Sequence, residues 1–409
     1  MRFEFATATR ILFGHGTARE LPTVASGFGR RALWITGGHP SRVEPLRHAL
    51  SEAQVETVPF VVATEPTTDL VTQGAGMAVE SGCDLVVAVG GGSVLDGGKA
   101  IAALATNRGE LLDYLEVIGR GRPIANPPLP FIAIPTTAGT GTEVTRNAVL
   151  TSRESRVKAS LRSPLLLARV AVIDPELTVG LPAALTASTG LDALTQLIEP
   201  YVSCRANPMT DGFCRSGIPL VVRSLRQAYR HPDDLGARED MALASLLSGL
   251  ALANAGLGIV HGFAAPIGGM FTAPHGAVCA ALLPCAMEVN IRALQARNPS
   301  HVALGRFDEV ARWLTGRANA VAMDGVTWVR DLVKELGIPS LQKFGIAAHD
   351  IPALCEKAAQ ASSTKGNPLP LAMEELEEIM GQALQGSIPQ YSPTPPPPPA
   401  GSAVAGTTK

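Results

Sequence analysis

Hydrophobic and polar positions follow two different patterns along the chain, and the pattern changes near residue 181. Before that point, short apolar runs bounded by turn residues alternate with segments whose apolar residues recur at helical spacing. The runs are RALWITGG, CDLVVAVGGG, PLPFIAIPTT and ARVAVIDPEL, and the helical segments include SRVEPLRHALSEAQ and DLVTQGAGMAVESG. This repeating order of strand and helix predicts a parallel sheet with helices on both faces.

The remainder of the chain has a helical period and shows no convincing strand pattern. Its segments include LPAALTASTGLDALTQLIEP, MTDGFCRSGIPLVVRSLRQAY, AREDMALASLLSGLALANAG and DGVTWVRDLVKELG. We therefore predict an α/β domain at residues 1–180 and an all-helical domain at residues 181–387, where Pro182 opens the first helix. Residues 388–409 are proline-rich and then small and polar, which predicts a flexible tail without a core of its own.

Composition and charge narrow the classes of protein. A length of 409 residues is enough for two domains with separate cores, and a formal net charge of −2 gives no electrostatic basis for binding nucleic acid or an anionic membrane. The six cysteines form no CxxC pair, which is typical of small buried thiols in a reducing compartment. No signal peptide is recognisable, and the apolar stretch LLSGLALANAGLGIVHGFAAPIGGMF is interrupted by polar residues and glycines. We expect a cytoplasmic protein with no membrane span.

Two loops have the composition of a phosphate-binding site. GGGSVLDGGKA follows the run DLVVAVG and opens a helix, so its glycines leave backbone N–H groups free for an anion. PTTAGTGTEVT follows the next run and offers several hydroxyl groups for a pyrophosphate or ribose. Each loop has an ordinary alternative: a tight turn for the first and a polar, helix-capping loop for the second. Two such loops after successive strands nevertheless predict a nucleotide site at the edge of the sheet.

A carboxylate and two imidazoles are candidates for a metal site. Asp192 and Gln196 stand four residues apart on a predicted helix and share a face. His261 and His275 each precede a glycine in an apolar neighbourhood. A buried carboxylate is costly unless it is paired or binds a metal, and one carboxylate with two neutral imidazoles suits Zn²⁺ or Fe²⁺. The alternative, three separate core residues, stays open on spacing alone.

Several ordered motifs together resemble one family. GGGSVLDGGKA, IPTTAGTGTEVT, GLDALTQLIEPYVS, VHGFAAPIGGMFTAPHG and SSTKGNP are similar, in that order, to motifs of the iron-containing (group III) alcohol dehydrogenases. The resemblance extends from FEFATATRILFG to about Leu384. It implies a dehydroquinate synthase-like fold, with a dinucleotide-binding α/β domain, a helical domain and an active site in the cleft. It also implies NAD or NADP as cofactor and a homodimer or larger homo-oligomer.

The resemblance implies roles for individual residues. Contacts to the dinucleotide are implied for Gly37, Gly90, Gly91, Gly92, Ser93, Asp96, Thr136, Thr137, Gly139 and Thr145. Lys158 matches a lysine near the nicotinamide, although a solvated surface lysine is the alternative. The family holds its metal with one aspartate and three histidines. Asp192, His261 and His275 occupy three of these positions, and Gln196 occupies the fourth.

The chain departs from the family pattern at three positions. A neutral amide at Gln196 is a weaker metal donor than imidazole, so three outcomes are open: a weak fourth ligand, weak metal binding, or no metal. We favour the first outcome, in which Gln196 is a weak fourth ligand. Ala265 replaces a histidine found in many relatives, which makes the substrate pocket roomier and more apolar. Gly37 stands where NAD-specific relatives often have an acid, so NADP is also acceptable, with Arg42 near enough to help.

The predicted activity is reversible hydride transfer between a nicotinamide and the carbinol carbon of a small alcohol, with an aldehyde or ketone as the oxidised partner. Asp192, His261, His275 and Lys158 are the predicted catalytic residues, acting with Fe²⁺ or Zn²⁺. One alternative is a metal-independent reductase of the maleylacetate reductase type. Two others are a dehydroquinate synthase-like lyase and a non-catalytic nucleotide-binding protein whose metal site has decayed.

Overall fold

A computed structural model describes residues 2–155 and 157–386, so the predicted tail at 388–409 lies outside the described residues. The strands are β1 (Arg10–Phe13), β2 (Arg31–Thr36), β3 (Glu56–Val61), β4 (Leu85–Gly90), β5 (Phe131–Pro135), β6 (Asn147–Ser152), β7 (Val157–Arg162) and β8 (Val170–Ile173). The helices before β8 are α1 (Leu21–Ser26), α2 (Glu44–Glu52), α3 (Thr68–Glu80), α4 (Gly92–Leu104) and α5 (Leu111–Tyr114). The later helices are α6 (Ala183–Val202), α7 (Pro208–Arg230), α8 (Leu235–Ala255), α9 (Ile259–Met270), α10 (His275–Arg297), α11 (Val302–Thr315), α12 (Ala322–Glu335), α13 (Ile351–Gln360) and α14 (Met373–Gln385).

Six strands form a parallel sheet in the order β1-β8-β5-β4-β2-β3, which confirms the predicted parallel sheet. Alternate residues of each strand face opposite cores: Leu33 and Ile35 of β2 lie in one apolar cluster, and Ala32 and Trp34 lie in the other. Because both faces are covered, the four central strands are continuous apolar runs.

The two edge strands were absent from the sequence prediction. β1 and β3 are partly exposed, so neither has a continuous apolar run. β3 also contains Pro59, which a strand tolerates at the edge of a sheet because its missing N–H is not needed by a further neighbour.

An antiparallel hairpin of β6 and β7 stands beside the main sheet and was also missed. Its register pairs Thr151 with Lys158. The turn contains no Asn-Gly or Asp-Gly pair, which is the strongest short-range signal for a hairpin. β6 packs against α4 and β7 packs against α9, so the hairpin connects the sheet to the helical part of the chain.

The helical part begins with α6 at Ala183, two residues beyond the predicted boundary, and the division into two domains stays a prediction. The long apolar stretch forms a bent pair, α8 and α9, which meet at 98°. α10 also has the length and composition of a membrane span, and 94% of its apolar window is buried inside the protein.

Two glycines bring the threonine-rich loop against the helical part. Gly141 has a φ of +60°, a left-handed conformation that favours glycine. A Cβ on Gly141 would lie 2.4 Å from the Cα of Gly249 in α8, and one on Gly249 would lie 2.5 Å from the carbonyl oxygen of Gly141. The backbones are therefore in direct contact, and the loop after β5 is held next to the helices that carry the predicted metal site.

Candidate active site

Four potential metal ligands from three helices converge on one point. α6 supplies Asp192, α9 supplies His261, and α10 supplies His275 and Cys279. One donor atom from each of these residues lies within 4.8 Å of the other three. The structure thus brings together three of the four residues predicted as metal ligands, Asp192, His261 and His275, and it adds a thiol that the prediction did not include.

The carboxylate of Asp192 is almost fully buried, and its two oxygens have different surroundings. Oδ2 accepts a hydrogen bond from Nε2 of Gln196 at 3.1 Å. Oδ1 has no hydrogen-bond partner among the described residues and lies 3.4 Å from Nε2 of His261 and 3.7 Å from Nε2 of His275. Leaving a buried carboxylate oxygen unpaired is costly, and a divalent cation between these atoms removes that cost. The residues present therefore fit a metal ion.

Glu199 orients His261, and sequence reasoning missed this residue. Oε2 of Glu199 accepts a hydrogen bond from Nδ1 of His261 at 2.7 Å, and Oε1 accepts one from the backbone N–H of Val260 at 2.7 Å. A carboxylate only accepts, so Nδ1 of His261 carries a proton and Nε2 faces Asp192. Burial opposes the charged form of this ring, but Cys279, Asp192 and Glu199 raise the pKa of His261, so a bound cation would displace the proton from Nε2. Carboxylates of this kind commonly support histidine ligands of metals. The signal was present in the sequence: residues 192, 196 and 199 share one face of a helix.

Gln196 has both ends of its amide engaged. Nε2 donates to Asp192, and Oε1 accepts a hydrogen bond from Oγ of Ser248 in α8 at 2.9 Å. In this orientation the amide holds the carboxylate in place and its oxygen is directed at α8. Its predicted role as a weak fourth metal ligand stays a prediction.

Cys279 lies one helical turn after His275, on the same face of α10. Its Sγ is 3.7 Å from Nε2 of His275 and 3.8 Å from Nε2 of His261. All six cysteines lie among the described residues as free thiols; five are buried as predicted, whereas Cys204 is exposed. The sequence offered one clue to the special position of Cys279, its spacing of four residues from a candidate ligand.

Electrostatics keep the carboxylate and one imidazole in the forms that bind a cation. Burial favours the neutral form of Asp192, but His275 and His261 outweigh this effect and hold the pKa of the carboxyl below its usual range. Partial burial lowers the pKa of His275, and the nearby charges of His261 and Lys158 act in the same direction. A neutral His275 keeps its Nε2 lone pair free. Its side chain is 35% exposed, which leaves the cluster open on that side.

The glycine-rich loop has the geometry of an anion site. β4 ends at Gly90, Gly91 is the N-cap of α4, and no side chain caps that helix start, so its first N–H groups remain available. A Cβ on Gly92 would lie 2.8 Å from the side chain of Thr140, and one on Gly91 would lie 3.3 Å from Oγ1 of Thr137. The two loops predicted to bind a dinucleotide are therefore in contact.

Other predicted cofactor residues fall around the same loops. Gly37 follows β2, and a Cβ there would lie 3.6 Å from Val94 in α4. The backbone N–H of Thr136 donates to the carbonyl of Gly90, and Gly139 packs against Thr189 of α6. Ser93 lies in the first turn of α4. Arg42 donates to the carbonyl of Val179 at 2.9 Å.

Asp96 and Thr145 are buried and bonded within the protein. Oδ2 of Asp96 accepts from the backbone N–H of Val149 at 3.1 Å, and Oδ1 accepts from the hydroxyl of Thr142 at 3.3 Å. Nζ of Lys99 donates to both the carbonyl oxygen and the hydroxyl of Thr145. Burial raises the pKa of Asp96 to about 6 and lowers that of Lys99 to about 8. These bonds fasten the threonine-rich loop to α4 and the hairpin.

Lys158 extends from β7 toward α9. Its side chain is only 9% exposed, which excludes a solvated surface charge. Nζ donates to Oε1 of Glu65 at 2.5 Å, and a Cβ on Gly268 in α9 would lie 2.7 Å from Nζ. The charge of Lys158 also contributes to the lowered pKa of His275.

Comparisons with known proteins cover both parts of the chain. The family model for iron-containing alcohol dehydrogenase matches residues 8–175, and the model for the C-terminal region of that family matches residues 186–384. The 1,3-propanediol dehydrogenase of Klebsiella pneumoniae is 38% identical over 367 residues, which cover 87% of this chain and 92% of that protein. Alcohol dehydrogenase 4 of Saccharomyces cerevisiae (strain YJM789) is 38% identical over 325 residues, which cover 79% of this chain and 82% of that protein. A crystal structure of 1,3-propanediol oxidoreductase matches with a TM-score of 0.87 and 35% identity, over 94% of this chain and 100% of that one.

Proposed function

The chain belongs to the iron-containing alcohol dehydrogenase family and is an oxidoreductase acting on CH–OH groups, and we propose that Asp192, His261 and His275 hold the metal of its active site. The observation that supports this proposal is the unpaired Oδ1 of Asp192, which faces two imidazole nitrogens in a buried site. When bound, a divalent cation polarises an alcohol or carbonyl oxygen, and NAD or NADP exchanges the hydride.

The protein residues prepare the site for this chemistry. Asp192 contributes negative charge, and Gln196 holds its second oxygen. Glu199 holds the Nδ1 proton of His261, so that Nε2 would be the nitrogen that binds the cation. The exposed side of His275 is the proposed entrance for the alcohol or aldehyde. Since Ala265 has no titratable group, we propose that a water molecule or a ribose hydroxyl relays the proton.

The dinucleotide is proposed to bind across the two contacting loops. The free N–H groups at the start of α4 suit the pyrophosphate, and the hydroxyl of Thr137 lies beside Gly91 at the same helix start. Thr136 is proposed to contribute a second hydroxyl. Lys158, whose Nζ lies against Gly268 of α9, is proposed to face the nicotinamide end. Gly37 carries no carboxylate to repel a 2′-phosphate, so NADP is proposed as a substrate alongside NAD. Fluorescence titration with NADH and NADPH measures that preference directly.

The experiment that tests the metal site compares Asp192→Asn with Asp69→Asn, which is the same substitution at an exposed position of α3. We expect Asp192→Asn to lose bound metal and turnover with an aldehyde panel while retaining NAD(P)H binding. Asp69→Asn should match the wild type in all three measurements. Full activity of the wild type after exhaustive chelation, with no metal detected, would instead establish the metal-independent alternative.

Three further points concern the lyase alternative, the location and the oligomeric state. A dehydroquinate synthase-like lyase regenerates its oxidised cofactor, so steady accumulation of NADH from an alcohol excludes that alternative. The six free thiols support a cytoplasmic, reducing location, and a homodimer or larger homo-oligomer is proposed from the family resemblance. Light scattering of the purified protein gives its oligomeric state.

A further inference from the structure

We propose that the thiolate of Cys279 is the fourth protein ligand of the metal and that Gln196 is not a ligand. This inference rests on the proposed metal site, and it concerns only which atom completes that site. Cys279 is fully buried on α10, and its Sγ approaches both imidazole nitrogens that face Asp192.

The distances between donor atoms match those of one coordination sphere. A tetrahedral zinc ion, with about 2.3 Å to sulfur and about 2.0–2.1 Å to nitrogen or oxygen, places sulfur about 3.6 Å from nitrogen and nitrogen about 3.3 Å from oxygen. In the protein, Sγ of Cys279 is 3.7 and 3.8 Å from the two Nε2 atoms. Oδ1 of Asp192 is 3.4 and 3.7 Å from the same nitrogens. These four of the six separations match one coordination sphere, and one donor atom from each of the four residues lies within 4.8 Å of the others.

The bonds of Gln196 argue against its amide as the fourth donor. Its oxygen is bonded to Ser248, and its nitrogen is bonded to Oδ2 of Asp192. Turning the amide over would place its oxygen against Oδ2 at about the same 3.1 Å, so that two acceptors would face each other with no proton between them. Gln196 therefore positions the carboxylate, and Cys279 takes the place that a third histidine would fill.

A thiolate changes the character of the site. Together with Asp192 it supplies two negative charges, which balance the charge of a divalent cation. Thiolate is a soft ligand that favours zinc over the harder cations, and zinc stands above iron(II) in the general order of affinity. We infer a centre that takes up zinc or cobalt in preference to iron.

Cobalt substitution tests this inference because a thiolate ligand gives cobalt(II) an intense near-ultraviolet charge-transfer band that nitrogen and oxygen ligands do not give. Metal-free protein is titrated with cobalt(II) in four forms: wild type, Cys279→Ser, Gln196→Ala and Cys285→Ser. Cys285 is the matched control, since it is buried on the same helix and its Sγ contacts the carbonyl of Ala281. We expect the band in the wild type, Gln196→Ala and Cys285→Ser, and its complete loss in Cys279→Ser.

X-ray absorption of the zinc-loaded wild type provides a measurement that does not depend on any variant folding. One sulfur neighbour at about 2.3 Å supports the proposal, and a shell of only nitrogen and oxygen at about 2.0–2.1 Å overturns it. Cobalt that binds with ligand-field bands but no charge-transfer band in the wild type overturns the role of Cys279 and leaves the metal site intact. A protein that takes up neither cobalt nor zinc overturns the metal site itself, and Cys279 with it.

Discussion

The carboxylate of Glu199 makes two bonds to α9, one to the imidazole of His261 and one to the backbone of the preceding residue. It therefore fixes the ring and caps the first turn of the helix that carries it. The neighbouring Gly258 has no room for a side chain, because a Cβ there would lie 2.8 Å from Oε1 of Glu199. A residue that touches no metal thus decides which nitrogen of His261 is free to bind one.

We expect Glu199→Gln to weaken metal binding by about 10- to 100-fold, because the amide removes the negative charge behind His261. The amide nitrogen would also face either Nδ1–H of His261 or the backbone N–H of Val260, and both of these groups are donors. The measurement is a zinc titration against a competing chelator. Glu80→Gln, the same substitution at an exposed position of α3, should leave zinc affinity unaltered. Equal affinities of Glu199→Gln and wild type would show that the carboxylate does not support the ligand.

At the level of single residues, the sequence predicted part of the candidate active site. Asp192, His261 and His275 could be named because each is a polar residue in an apolar neighbourhood, yet 83 residues separate the first from the last (275 − 192). Spacing along the chain carries no information on whether such distant side chains meet. Glu199 and Cys279 were missed because an acid at a helix end and a small buried thiol are both ordinary in a core.

Among the elements, those buried on both faces were predictable and those at the margins were not. β2, β4, β5 and β8 are continuous apolar runs because helices cover both sides of the sheet. β1, β3 and the hairpin of β6 and β7 have a polar or partly exposed face, which weakens the apolar pattern that identifies a strand. Of the missed strands, β7 carries a predicted site residue, Lys158, and turns it toward α9.

The junction of β4 and α4 depends on glycine, and Gly92→Ala tests that dependence. A Cβ on Gly92 would lie 2.8 Å from Thr140, so the threonine-rich loop must shift. Overpacking of this kind costs about 1–3 kcal/mol of strain, and we expect NAD(P)H binding to weaken by no more than that amount. Fluorescence titration of the nucleotide measures the change.

Gly76→Ala is the matched control, because the same substitution on α3 meets no atom within 4 Å. It should leave nucleotide affinity unchanged and raise the free energy of unfolding by up to about 1 kcal/mol, since alanine favours a helix. A similar loss of affinity in both variants would mean that the glycine loop does not approach the nucleotide closely.

For the whole molecule, buried acids next to the sheet link stability to pH. Burial raises the pKa of Glu143 to about 7 and that of Asp96 to about 6, although the charge of Lys99 opposes both shifts. An acid with a raised pKa binds more protons in the folded state than in the unfolded state. The contribution of Glu143 to the free energy of unfolding therefore falls as the pH rises from about 4.5 to about 7.

We expect Glu143→Gln to remove part of this pH dependence. The variant should gain stability relative to the wild type as the pH rises from 5 to 8, by at most on the order of 3 kcal/mol. Urea denaturation at a series of pH values measures the difference. Glu154→Gln, an exposed change in the turn before β7, should follow the wild type at every pH, and a constant difference for Glu143→Gln would contradict the assigned shift.

Helix α6 carries Asp192, Gln196 and Glu199 along one face, and its other side is pressed against α7. A methyl group on Gly190 would lie 2.3 Å from Leu225, and one on Gly217 of α7 would lie 2.7 Å from Leu197. Glycines at these two positions allow α6 and α7 to pack closely, because a side chain at either position would overlap a leucine of the other helix. A larger side chain at Gly190 or Gly217 would press on α6, so the position of Asp192, and with it the proposed metal site, would respond to a change made at the contact between the two helices.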